Sequence, residues 1–567
     1  MLTPWADTLD RAQPLPEYPR PQMVRDSYLN LNGPWSYAIT TSASKPAQAD
    51  GTILVPFSPE SELSGVGHVL QPEEYLWYIR TVTLPDGFNV GRVLLHFGAV
   101  DQIATVWCNG VELATHTGGY LPFTVDITEV LAKENTILVC VRDATNKSQL
   151  PRGKQTLHPH GIWYTPQSGI WQTVWLESVP QNYIHSLRVT PLFDAHQVEI
   201  TVEGAGQCMI DLEGKRFTFP AGVPAHVPVQ SFRPWSPEHP TLYPFSVTLG
   251  DDTVYSYFAM RKCSVETDQD GVRRLFLNGK PYFHNGLLDQ GYWPDGLYTA
   301  PSDDALVYDI QLAKDMGFNM LRKHIKVECD RWYYHCDRLG MLVWQDMPSG
   351  GGRYNLLTIS APLITGIHLK DSHYRLFART DPDGRDSFRQ ELEEMIRQLQ
   401  NCPCIVLWVP FNEGWGQFDA KQITRLVRKL DPTRLIDHAS GWHDQGVSDV
   451  RSLHVYFKPY RFRPDKKGRA VVLSEFGGYN LPVAGHTWNE KNFGYKGYQT
   501  PEALGEAVRK LYETQIIPAR KAGLAADVYT QLSDVEDEVN GFVTYDRRVE
   551  KLPEALMQAI ARELKGE

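Results

Sequence analysis

From about residue 264 the chain alternates short apolar runs with amphipathic stretches, and this alternation constrains the fold more than any other feature. Runs at 281–285, 318–321, 341–345, 404–411, 434–438, 452–456, 470–474 and 527–532 read as strands separated by helices. Strands that alternate with helices imply βα units and a parallel sheet. Eight such units within roughly 300 residues fit a (β/α)8 TIM barrel better than an open doubly wound sheet, the alternative. Helical signals fall between the runs. Ser302 precedes an acidic first turn, Asp303 and Asp304, as an N-cap does. Phe388, Leu392, Met395, Ile396 and Leu399 recur at helical spacing, while Thr500-Pro501 opens a helix that Gly523 closes. The connection 348–384 is far longer than a usual βα loop, so it is expected to form a lid or rim over the site.

The residues before 264 follow another grammar. Up to about residue 180, β-rich runs alternate with turn signals, such as 93–97, 103–108 and the Asn109-Gly110 hairpin turn into 111–113. This pattern implies a β-sandwich. Fresh strands at 186–190, 197–202, 243–249 and 254–260 imply a second, smaller one. Three units result: 1–180, 181–263 and 264–567.

Composition narrows the partners. A formal charge of −11 and only short basic clusters, such as Lys466-Lys467, argue against nucleic acid. No run approaches the ~20 apolar residues of a membrane span, and the N-terminus lacks a leader pattern, so an intracellular, soluble, cytoplasmic protein with no membrane partner is expected. The eight cysteines sit mostly in apolar runs and read as reduced core thiols; Cys402-Pro403-Cys404 has the wrong spacing for a zinc or redox pair.

In a barrel, chemistry gathers just beyond the carboxyl ends of the strands. Few acids meet that condition. The run 404–411 ends in Asn412-Glu413-Gly414-Trp415, and 470–473 ends in Ser474-Glu475-Phe476-Gly477. A charge placed directly after a buried strand is costly unless it is used or paired. Two carboxyls across one barrel mouth suit retaining glycosidic cleavage, in which one protonates the leaving oxygen and the other attacks the anomeric carbon, about 5–5.5 Å apart. Asn412 would donate to the sugar's 2-hydroxyl. Structural salt bridges are the alternative for either acid alone.

The same residues resemble glycoside hydrolase family 2, the β-galactosidases, β-glucuronidases and β-mannosidases. Tyr18-Pro19-Arg20-Pro21-Gln22, Leu31-Asn32-Gly33-Pro34-Trp35, Val55-Pro56-Phe57, Trp77-Tyr78-Ile79-Arg80, Asn109-Gly110 and Ser168-Gly169-Ile170-Trp171-Gln172 are similar to its first domain. Asn319-Met320-Leu321-Arg322, then Asp337 to Trp344, resemble its first barrel signature. Asn412-Glu413 resembles its acid/base motif and Ser474-Glu475-Phe476-Gly477 its nucleophile strand. The resemblance implies a jelly-roll sugar-binding domain, an immunoglobulin-like domain and a (β/α)8 barrel. It also implies Glu413 as acid/base and Glu475 as nucleophile.

Further residues stand at strand ends. Arg322 is expected to orient and ionise Glu475, and Tyr456 to hydrogen-bond it. Glu413, as an acid, is expected to have its pKa raised by burial and by Glu475. Trp415 and Trp442 are candidates for stacking on sugar faces or for core packing. Asp346, His324, His438 and His454 supply groups suited to sugar hydroxyls; no ligand spacing among them supports a metal. Against relatives, His324 stands one residue early after Arg322, and Tyr529-Thr530-Gln531-Leu532 stands where the wider clan often has a tryptophan, so Gln531 is expected to face the first sugar subsite with a polar group. The Asn-x-Lys pair of glucuronidases is missing from the 538–544 stretch, where Glu538 adds negative charge, and a uronic acid is therefore disfavoured. The expectation is an exo-acting retaining β-glycoside hydrolase, β-galactosidase-like, without cofactor, acting on an oligosaccharide or glycoside as a possible homo-oligomer. A β-galactofuranoside, β-arabinoside, β-mannoside or β-glucuronide is the alternative sugar, and a non-catalytic carbohydrate-binding protein the alternative class.

Overall fold

The computed structural model describes residues 1–566. Antiparallel sheets of four and six strands, drawn from residues 29–179, enclose a first core that includes Trp35, Tyr78, Phe97, Val106 and Ile137. Alternation makes these strands. In Ile103–Cys108 every second side chain is buried, and Asn109-Gly110, both at positive φ (53° and 82°), turns the chain into Val111–Thr117. Sheets of three and four strands then form a smaller sandwich over Val198, Ile210, Val247 and Phe258. The strands expected there are Ser186–Leu192, Gln197–Glu203, Tyr243–Leu249 and Asp252–Phe258.

The barrel follows. Its strands are β1 (His284–Asp289), β2 (Met320–Lys323), β3 (Leu342–Asp346), β4 (Ile405–Val409), β5 (Leu435–Ile436), β6 (Val450–Val455), β7 (Ala470–Gly477) and β8 (Leu524–Thr530). All pair in parallel, in the order β5-β4-β3-β2-β1-β8-β7-β6. Asp449 brings the two ends together: its N–H donates to Ile436 O (3.1 Å) and its carboxylate accepts from Ile436 N (2.8 Å). A TIM barrel, not an open sheet, is therefore the observed form. The first strand starts later than 281 because Lys280-Pro281 pairs with Arg273–Leu277 in a separate hairpin, and proline cannot donate to a central ladder.

The helices start where their caps predict. Ser302 accepts from Ala305 N ahead of Asp303–Asp315, and Thr500 from Ala503 N ahead of Pro501–Leu511. The long connection after β3 folds a helix of its own, Leu356–Thr365, capped by Asn355. A second segment also reaches the barrel mouth. Between the first-domain strands Glu134–Arg142 and Gly169–Ile170 the chain crosses as a strap, in which Tyr164 N donates to Lys154 O (2.8 Å). Thr165 N is bonded to Glu536 (2.8 Å) and Gly161 N to Asp537 (3.2 Å), so the strap is fastened to the loop after β8.

Candidate active site

Glu475 sits on β7 at an irregularity in both neighbouring ladders. On β6, Leu453 pairs with Leu473 but His454 with Glu475; on β8, Asp527 pairs with Leu473 but Tyr529 with Phe476. One extra residue on β7 therefore re-aims the side chains that follow it. Arg322, wholly buried at the end of β2, donates from Nη1 to Glu475 Oε1 (3.0 Å), and Tyr456 OH donates to Oε2 (2.5 Å). The same guanidinium forks onto Asp346 (3.0 and 2.9 Å) and donates to Asn412 Oδ1 (2.8 Å). Asn412 is thereby fixed with its Nδ2 free of protein partners among the described residues.

Glu413 is held differently. Its backbone is left-handed, at φ 50°, a strained state for a side-chain-bearing residue, and Gly414 follows at φ 78°. Glu413 N is tied to Ser440 O (2.9 Å), beyond β5. His454 Nδ1 lies 2.8 Å from Glu413 Oε1 and 3.4 Å from Glu475 Oε2, while its Nε2 meets Ser440 Oγ at 3.1 Å. Trp415 Nε1 donates to Glu413 Oε2 (3.1 Å). One oxygen of each carboxyl and one nitrogen of His454 all fall within 4.8 Å of one another.

The expected upward shift of Glu413 is overturned. Burial does push its carboxyl up, but the hydrogen bonds from His454 and Trp415, with the charge of Lys154, together bring it below its ordinary value. Burial has the opposite consequence for His324, which it holds neutral. His324 Nδ1 is bonded to Asp346 Oδ2 (2.8 Å), which leaves its Nε2 without a protein partner among the described residues.

The remaining sequence candidates divide. Gln531 Nε2 donates to Asn540 Oδ1 (2.7 Å), and Asn540 Nδ2 lies 3.5 Å from Glu538, forming a polar wall beside β8. Trp442 is half-buried with its ring 6.2 Å from that of His454. His438 is engaged on both nitrogens by its own loop, Nδ1 with Ser448 Oγ (2.7 Å) and Nε2 accepting from Gln445 N (2.8 Å). It braces that loop and has no nitrogen left for a sugar.

Several residues at the mouth escaped the sequence reading. Tyr495 stacks on Tyr456 with centroids 3.8 Å apart. The strap brings in Tyr164, hydrogen-bonded to Glu538, and Trp163, edge-on to Trp415 at 5.1 Å. It also brings Lys154, whose charge acts on Glu413, Glu538 and His324 and which makes no ion pair among the described residues. The 538–544 stretch does lack a lysine; the site as a whole does not. An aromatic pair between Gly161 and Pro166, in a turn-rich segment, is the signal that could have marked the strap.

Among the described residues, Glu413, His454 and Glu475 form the one group of His, Cys, Asp or Glu side chains close enough to hold a metal ion. An ion there would occupy the space between the two carboxyls. No helix is long and apolar enough to cross a membrane.

Residues 271–550 match the family model described as glycosyl hydrolases family 2, TIM barrel domain, and 66–180 the one described as the family's sugar binding domain. A β-galactosidase of Thermoanaerobacter pseudethanolicus is 26% identical over 446 residues, a match spanning 73% of this chain and 55% of that enzyme's length. A β-glucuronidase of Chlorocebus aethiops is 24% identical over 513 residues, spanning 78% and 74%. Among solved structures, a β-glucuronidase of an uncultured Clostridium sp. superposes with a TM-score of 0.74 at 18% identity, covering 96% of this chain and 99% of that one. A β-galacturonidase from Eisenbergiella tayi bound to galacturonate gives 0.71 at 18%, covering 97% and 99%. At such identities the superpositions speak for the fold alone.

Proposed function

The chain belongs to glycoside hydrolase family 2, and on that premise we propose that it cleaves terminal β-glycosides with retention, Glu413 acting as acid/base and Glu475 as nucleophile. The observation that carries this reading is the spacing of the two carboxyls: oxygens within 4.8 Å suit direct attack, whereas an inverting pair stands about 6.5–9.5 Å apart to admit a water. Glu475 attacks the anomeric carbon as Glu413 delivers its proton to the departing oxygen, and a glycosyl ester forms on Glu475. Glu413, now ionised, takes a proton from water; the water oxygen attacks the same carbon and frees Glu475. Arg322 and Tyr456 keep Glu475 ionised and oriented by donating to its two oxygens. Asn412 Nδ2 serves the 2-hydroxyl, where hydrogen bonds strengthen in the oxocarbenium-like transition state.

The first sugar we assign is a terminal β-galactoside, in keeping with the β-galactosidase relative and with the uncharged amide pair Gln531 and Asn540 beside β8. A second reading, a β-linked uronic acid, is favoured by the unpaired ammonium of Lys154 and by relatives named β-glucuronidase. A panel of nitrophenyl β-glycosides differing only in the sugar separates them, with proton NMR following the first product. Release of the β-anomer from one member is expected. An α-anomer as first product would refute double displacement, and no turnover of any member would refute the hydrolase assignment.

A further inference from the structure

On the acid side of the site, a cleft of about 670 Å³ opens between the first-domain strap and the long connection after β3. Its apolar wall is Trp163, Tyr354 and Trp415, whose ring centroids lie 5.0–5.9 Å apart. Trp415 is the residue that donates to Glu413. Trp415 thus borders both the Glu413 carboxyl and the cleft.

The charge of the cleft is one-sided. Lys147, Arg152 and Arg353 line it, and no Asp or Glu does, in a chain whose net charge is −11. Arg152 is only 4% exposed, yet it forms no ion pair among the described residues. Its Nη1 donates to Ser148 O (3.1 Å) and Gly351 O (2.6 Å), and its guanidinium carbon lies 5.6 Å from the Tyr354 ring. Arg379, behind the lid, is likewise buried and bonded to the carbonyls of Gly416 and Ser349. Burial, with Arg152 nearby, lowers its pKa to about 10. Neither guanidinium makes a direct ion pair among the described residues; only the more distant charges of Asp143 and Glu391 act on Arg152 and Arg379, so an anion arriving with a ligand would be the first direct partner of Arg152.

We propose that this cleft is the leaving-group subsite and that it takes a ring bearing an anionic group, the ring lying on Trp163 and Tyr354 and the anion meeting Arg152, Arg353 and Lys147. The proposal rests on the hydrolase assignment above. Two sources share this chemistry, an aromatic acid and an acidic sugar.

Two matched substrate pairs test it, built on the sugar that the panel identifies. One is an aryl pair of equal leaving-group pKa, with and without a ring carboxylate; the other is a disaccharide pair whose reducing-end residue is a uronic acid or its neutral counterpart. In at least one pair kcat/KM should favour the anionic member about tenfold or more at low salt, and the preference should fade as salt rises. The pair that shows it names the source. Lys147→Ala with Arg353→Ala should bring that ratio toward one. A ratio near one in both pairs, or one that the double variant leaves intact, overturns the proposal while the hydrolase assignment stands. A tryptophan fluorescence titration with 4-hydroxybenzoate, which carries no sugar for the first subsite, reads the cleft without turnover; equal affinity in the wild type and the double variant overturns the proposal as well.

Discussion

The two carboxyls at the barrel mouth are held by different means. Glu475 belongs to the barrel alone: β7 carries it, β2 supplies Arg322, and the chain just beyond β6 supplies Tyr456. Glu413 stands on a left-handed turn after β4, beneath Trp415, and Trp415 packs against Trp163 of the first domain and Tyr354 of the long connection. The nucleophile's surroundings are thus a matter of strand register. Those of the acid are assembled from three segments distant in sequence, which makes them the natural place for substrate selection to vary.

If that division is right, substitutions on the two sides should fail in different ways. The largest effect is expected at Glu475. Glu475→Gln removes the attacking atom, so activity on every leaving group should drop by about 10⁴-fold or more, and no glycosyl ester should accumulate with a slow fluorosugar. Mass spectrometry of the labelled wild type checks the assignment, and a label on any other acid would move the nucleophile.

A smaller and selective loss is expected at Glu413. Glu413→Gln should slow cleavage of alkyl and sugar leaving groups by about 10²–10⁴-fold and much less that of nitrophenolates, which leave without a proton. A Brønsted plot of rate against leaving-group pKa makes the comparison. Equal small losses across the plot would take the acid role away from Glu413.

The same division marks what the sequence could yield. Strand ends, caps and both acids were legible because each is a local pattern, an apolar run closed by a charge or a capping residue ahead of a helix. Arg322 and Tyr456 follow the same rule; His454 follows it as well, but its two nitrogens meet Glu413 and Ser440 and are not left for sugar hydroxyls. His438 obeyed it too, yet its nitrogens are taken by residues 445 and 448, because a strand end fixes position and leaves side-chain partners open. The strap was not legible. Tyr164 meets Glu538 across 374 residues, and no local periodicity encodes such a contact. Nor does any pattern announce the extra residue on β7, since an unbroken apolar run hides its register.

His454 connects the two sides, and its replacement gives the subtlest test. Its Nδ1 donates to Glu413, and that bond, with the one from Trp415, keeps the carboxyl below its ordinary pKa against the upward push of burial. A general acid works only below its pKa, so the alkaline limb of kcat/KM follows Glu413. Taking away a donor to the charged form removes a lowering influence and leaves burial in place; the pKa must rise. His454→Leu should therefore move the alkaline limb to higher pH, whatever it does to the maximum rate. A limb that stays put would mean that His454 does not set the acid's protonation. Movement to lower pH would mean that a group other than Glu413 carries the proton to the leaving oxygen.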